Sequence, residues 1–100
     1  MVEKLERVTF AEHLNSRFRV IDGATVTFDL DLIEVTELHS NSVQEVFALL
    51  FRGPVDAPRA QNSYTLQHET IGTFIIFLTP VKADNDGLYF EAVFNRLVNN

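Results

Sequence analysis

Apolar and polar residues alternate along most of this chain in short runs bounded by turn-forming residues, a period-two pattern that predicts strands rather than helices. From Thr25 the alternation is clean, with Val26, Phe28, Leu30 and Leu32 on one face and Thr25, Thr27, Asp29 and Asp31 on the other. The parity then switches. Ile33 and Val35 become the apolar positions and Glu34 and Thr36 the polar ones, so Leu32 and Ile33 both ask to face inward. One extra residue at that point, a β-bulge, resets the facing of everything downstream and bends the strand. Bends of this kind curl a small sheet toward closure.

Other segments continue the pattern. Phe18 to Ile21 pairs with the Thr25 strand across Asp22-Gly23-Ala24, because Asp-Gly tolerates the positive φ of a tight hairpin turn. Leu38 to Gln44 is a loop by composition, and Glu45 to Arg52 is apolar on both faces, as expected of a central strand. Gly53 to Ser63, with Pro54 and Pro58, is the longest irregular connection, a kind of segment that often carries function. Tyr64, Leu66 and His68 alternate with Thr65, Gln67 and Glu69. Thr73 to Val81 is again apolar on both faces until Pro80, which cannot donate to a ladder and so predicts a strand end or an edge. After a charged hairpin loop from Lys82 to Gly87, the last strand places Leu88, Phe90, Ala92 and Phe94 opposite Tyr89, Glu91, Val93 and Asn95.

One element departs from this period. Thr9-Phe10-Ala11-Glu12 fits a capping box and predicts a short helix ending near Asn15, with Phe10 and Leu14 on one face, lying across an open end of the sheet as a plug. The expected architecture is mainly β: about six antiparallel strands in a meander forming a small barrel or strongly coiled sheet, with one short N-terminal helix. Neither an internal repeat nor a shift in composition suggests a second domain, so residues 1–100 are read as one.

Composition sharpens this reading. Nine Phe and two Tyr with no Trp make an aromatic interior, and the absence of Cys excludes thiol catalysis and disulfide staples. A net charge of -6 with scattered bases argues against nucleic acid and against anionic membrane surfaces. The opening residues carry acids and no apolar core of a signal peptide. The longest uncharged segment, Thr70 to Val81, falls short of the about 20 residues of a spanning helix, so a soluble, cytoplasmic protein is expected.

The candidate chemistry is sparse. His13, His39 and His68 lie on three different elements, and His68-Glu69-Thr70-Ile71-Gly72 fails the two-histidine zinc spacing, so no metal is expected. Asp84-Asn85-Asp86-Gly87 resembles part of a calcium loop, yet Lys82 and Val93 would occupy ligand positions. Ser16, Ser40, Ser42 and Ser63 all lack a nucleophile-elbow setting. The one enzyme-like set is His68 with Glu91, joined by Arg52 or Tyr64, on strands that could be neighbours. More often a charge set on strands is a hydrogen-bonded brace, since half-buried charges must find partners.

The order Leu50-Phe51-Arg52-Gly53-Pro54, Tyr64-x-Leu66-x-His68, Gly72-x-Phe74-x-Ile76-Phe77-Leu78-x-Pro80 and Tyr89-x-Glu91-Ala92-Val93-Phe94-Asn95 resembles a family of small uncharacterised bacterial domains of unknown function. The resemblance covers nearly the whole chain and implies proximity to tail-collar-type proteins of phage-like particles. The positions it would map are Arg52, Gly53, Pro54, Tyr64, His68, Glu91 and Asn95; Gln61-Asn62-Ser63 stands where the pattern has a Gly. Arg96 beside Asn95 joins these as a candidate interaction or brace residue. The expected function is therefore a non-catalytic contact or assembly domain with no cofactor, a protein partner and possible self-association. Its alternative is a ligand-binding or enzymatic β-barrel using His68 and Glu91.

Overall fold

In a computed structural model, which describes residues 5–23 and 25–97, the element order is α1 (Arg7–Ala11), β1 (Arg17–Asp22), β2 (Thr25–Ser40), β3 (Gln44–Gly53), β4 (Asn62–His68), β5 (Gly72–Asp84) and β6 (Gly87–Leu97). Alternation within each strand decides which side chains meet. Phe18 and Val20, Leu30 and Leu32, Phe47, Leu49 and Phe51, Leu66, Phe74, Ile76 and Leu78, and Phe90 and Ala92 are all buried in one core. The strands that carry them form one antiparallel sheet that closes on itself in the order β1-β2-β3-β6-β5-β4.

That order is two three-stranded meanders rather than one. β4 does not lie beside β3; the connection from Pro54 to Gln61 crosses an end of the ring to its far side, burying Ala57 on the way. A tight turn after β3 would have forced β4 next to it, whereas a connection of this length releases that constraint. Two seams then join the meanders. β3 pairs β6 over ten positions, from Gln44 opposite Leu97 to Gly53 opposite Leu88. β1 pairs β4 over only three, Arg19 with Gln67, Val20 with Leu66 and Ile21 with Thr65.

The parity switch in β2 is a register shift between Leu32 and Glu34 that leaves Ile33 as the extra residue. The expected hairpin forms with Gly23 at φ +63, but Asp22 is the last paired residue of β1, opposite Thr25, and takes no positive φ; Ala24 of that turn lies outside the described residues. Several boundaries differ from the sequence reading. β2 runs on to Ser40, because a tight turn suffices: the Asn41 amide donates to the Gln44 carbonyl oxygen at 2.9 Å, and the Asn41 side-chain oxygen accepts from the amides of Val43 and Gln44, both at 2.9 Å. β5 continues past Pro80 to Asp84; a closed ring has no edge for the proline, which sits instead at a register shift between Pro80 and Lys82. At Gly87 (φ +156) a Cβ would collide with the Gly53 carbonyl oxygen, so the β5–β6 turn needs glycine to press against β3.

The helix also departs from its expected ends. Glu6 is the N-cap residue with no side-chain cap bond, Thr9 lies inside the helix, and the chain turns at Asn15 with φ +67. The capping box therefore does not form, and Leu14 is exposed rather than sharing the buried face. Phe10 carries the docking: it is fully buried, with ring centroids 5.5–6.4 Å from Phe18, Phe47, Phe74 and Phe94. It fills the space between β5 and β6, whose pairing stops at Thr79 opposite Glu91. Among the described residues no helix is long and apolar enough to cross a membrane.

Candidate functional site

The candidate residues do not converge. His68 is buried on the inner side of β4, whereas Glu91 is exposed on the outer side of β6 between Leu50 and Thr79, so the pair required by an acid-base site is not assembled. Tyr64 lies toward the far end of β4, where its hydroxyl donates to the Ala60 carbonyl at 2.7 Å. Arg52 stands beside Asp31 (3.9 Å) and opposite Tyr89, with Gly53 and Pro54 in a shallow groove that Asp29, Asp31 and Asp86 complete. Parity explains the dispersal. His68 and Glu91 sit on opposite faces of the sheet, and two such side chains cannot share a cavity.

Each of the others belongs to a local bracing arrangement. Asn95 accepts from the Gln44 side-chain amide at 2.8 Å across the β3–β6 seam. Arg96 faces inward, opposite Glu45, and lies 3.5 Å from it and 3.7 Å from Glu6; Arg7 approaches the same Glu45 at 3.6 Å and Glu37 at 3.8 Å. These charges latch the front of α1 onto β3 and β6.

His68 holds the other side of the helix. Its Nδ1 accepts from the amides of Thr70 (3.1 Å) and Ile71 (3.2 Å), tying the β4–β5 turn. A nitrogen that accepts twice carries no proton, so the neutral ring bears its hydrogen on Nε2 and donates to Ser16 Oγ at 2.9 Å. Ser16 Oγ in turn donates to the His13 carbonyl. In this tautomer His68 cannot take a proton from Ser16; the run is a chain of donors directed at the helix end. Phe18 and His13 pack against the imidazole at 4.5 and 4.7 Å between ring centroids. His39 is remote, at the β2–β3 turn near Asn41.

Electrostatics are perturbed in two places. Asp84 accepts from the Asp86 amide at 2.8 Å and the Tyr89 hydroxyl at 3.2 Å, and these bonds hold its carboxyl below the usual range. Burial, then the Asp84 bond and charge, push the Tyr89 phenol up, and burial pushes the Tyr64 phenol up.

Three surfaces were not foreseen from the sequence. A groove of about 630 Å³ opens where β1 and β4 part, with Val20, Phe28, Ala57 and Tyr64 beside Asp22 and Asp56. A second, of about 520 Å³, lies at the other end of the same seam, along Arg17, Arg19, Gln67 and His68. The third is the outer face of β5 and β6. There Ile75 is 71 % exposed, Phe77 54 % and Val93 58 %, so one of the two apolar faces of β5 is surface. A closed sheet has only one interior, so half of such a strand must face out. The apolar outward positions were the available signal; closure, which turns them into surface, is a long-range property.

The family model described as Domain of unknown function (DUF6916) matches residues 5–94. Neither the curated proteins nor the solved structures yield a match.

Proposed function

The chain belongs to the DUF6916 family, and on that premise we propose that it is a non-catalytic domain that works by protein-protein contact through the outer face of β5 and β6. The observation that carries the proposal is the exposed set Ile75, Phe77 and Val93. Its cross-strand neighbours from β4 are uncharged, since Ser63 opposes Phe77 and Thr65 opposes Ile75. Along β5 the outward positions Thr73 and Thr79 are uncharged as well. Glu91, outward on β6 two residues from Val93 and opposite Thr79, puts one carboxylate at the margin of this set, so in a chain of net charge -6 the face repels a second copy less than the more acidic surface does. The occupant that fits is therefore a second copy meeting it across a two-fold axis, where burying aromatic and branched side chains supplies the driving force. The resemblance of the sequence to domains found near tail-collar-type proteins extends the proposal to an accessory or assembly role in a phage-like particle, within a bacterial cytoplasm.

Light scattering on the purified chain tests this. The expected result is a dimer that Phe77→Lys converts to a folded monomer. A wild-type chain that remains monomeric up to about 1 mM, where contacts of only about 4 kcal/mol would show, overturns it.

A further inference from the structure

A second binding site lies at the parted end of the β1–β4 seam, and it stands independently of the outer face. The two strands pair only as far as Ile21 opposite Thr65. Beyond that point Asn62, Ser63 and Tyr64 are laddered to β5 on one side, and on the other they border the groove of about 630 Å³. The groove is thus flanked by a length of strand with one ladder already made. Its apolar side is aromatic and fixed: Phe28 and Tyr64 meet edge to face at 6.4 Å, Phe90 lies beneath both, and the Tyr64 hydroxyl is tied to Ala60. Its charged side has one sign only. Asp22 and Asp56 line it with no Lys or Arg, and among the described residues neither forms an ion pair.

We infer that this groove receives an extended peptide segment of a partner protein, laid along Asn62–Tyr64, with a Lys or Arg side chain between Asp22 and Asp56 and over the faces of Phe28 and Tyr64. Strand addition accounts for the backbone, and the carboxylates with the rings account for the cation. The volume accommodates one long side chain and its neighbours.

The test is a titration of the isotope-labelled full chain, followed by amide chemical shifts, with acetyl-Val-Lys-Val-Lys-Val-amide. The acidic counterpart acetyl-Val-Glu-Val-Glu-Val-amide and N-acetyl-lysine amide serve as comparisons. The basic peptide is expected to give saturable shifts at Asp22, Phe28, Ala57 and Tyr64 that weaken with salt. The Asp22→Asn, Asp56→Asn double variant should bind it about three- to tenfold more weakly. This variant keeps the fold, since Asp22 and Asp56 are both exposed and Gly23, which takes the positive φ of the β1–β2 turn, is untouched; an unchanged spectrum away from the groove verifies that. Equal binding of the acidic peptide overturns the charge assignment, and equal binding of N-acetyl-lysine amide overturns the strand. Absence of saturation by about 5 mM, or shifts confined to the β5 outer face, overturns the site itself.

Discussion

The two seams that close the ring are built to different strengths. At the β3–β6 seam ten consecutive pairs bring Phe47, Leu49 and Phe51 against the inward residues of β6, and the stacked rings of Phe47 and Phe94 lie 4.9 Å apart. At the β1–β4 seam three pairs suffice, and both ends open into grooves. The polar supports divide in the same way. The long seam carries cross-strand contacts between residues directly opposite one another, such as Glu45 with Arg96. The short one depends on His68 reaching out of the ladder to the β4–β5 turn and to Ser16. A ring can be closed firmly along one line and left openable along another, and the peptide site we infer lies on the openable line.

The contrast can be broken at its strong side first. Phe51→Ala removes a fully buried ring that packs edge to face on Phe18 at 5.3 Å, and should cost about 3–5 kcal/mol in urea unfolding. A loss under about 1 kcal/mol would mean that the long seam is not the stability centre.

His68→Ala probes the weak side. It leaves the amides of Thr70 and Ile71 and the Ser16 hydroxyl without their imidazole partner, and should cost about 2–3 kcal/mol. Native-state hydrogen exchange sharpens the comparison. In this variant the amides of Arg19 to Ile21 and Thr65 to Gln67 should exchange faster while those of Phe47 to Phe51 keep their protection. Uniform acceleration at both seams would show one cooperative unit instead.

Ser16→Ala is milder, about 1 kcal/mol by chemical denaturation, because it removes the Ser16 links to the His68 Nε2–H and the His13 carbonyl but keeps the two Nδ1 bonds to the β4–β5 turn. If it matches His68→Ala, the Nδ1 bonds to the turn contribute little.

The smallest effect is at the β5–β6 turn, outside both seams. The Asp84 carboxyl is held low by the Asp86 amide, so its contribution is present above the ordinary aspartate range and is lost as pH falls through the lowered folded value. Tyr89 is raised, first by burial; its contribution is present below the ordinary tyrosine range and is lost as pH rises through the raised value. Asp84→Asn should therefore flatten the acid limb of a stability-pH profile and bring the Tyr89 ultraviolet titration to lower pH. An unchanged Tyr89 titration would refute the coupling.

Much of the fold was legible locally. Alternation identified the inward residues Leu30 and Leu32, Leu66 and His68, and Phe90 and Ala92, though not those of β3 and β5, which read apolar on both faces; the parity switch at Leu32-Ile33 located the bulge, and Asp22-Gly23 located the first turn. Each of these depends on neighbours a few residues apart, where steric and burial preferences are written directly into the chain. The chain by itself also determined that the interior would be aromatic, since its inward positions hold most of the Phe residues.

Only the tertiary structure decided what those inward and outward faces would become. The crossing from Pro54 to Gln61 set β4 against β1 instead of β3, which created the parted seam beside Asp22 and Tyr64. Closure placed Ile75 and Phe77 on the surface, and the docking of Phe10 brought Ser16 and His13 to His68. These outcomes rest on pairings between residues tens of positions apart, and the free energy that selects among such pairings belongs to the assembled ring rather than to any local run of the chain.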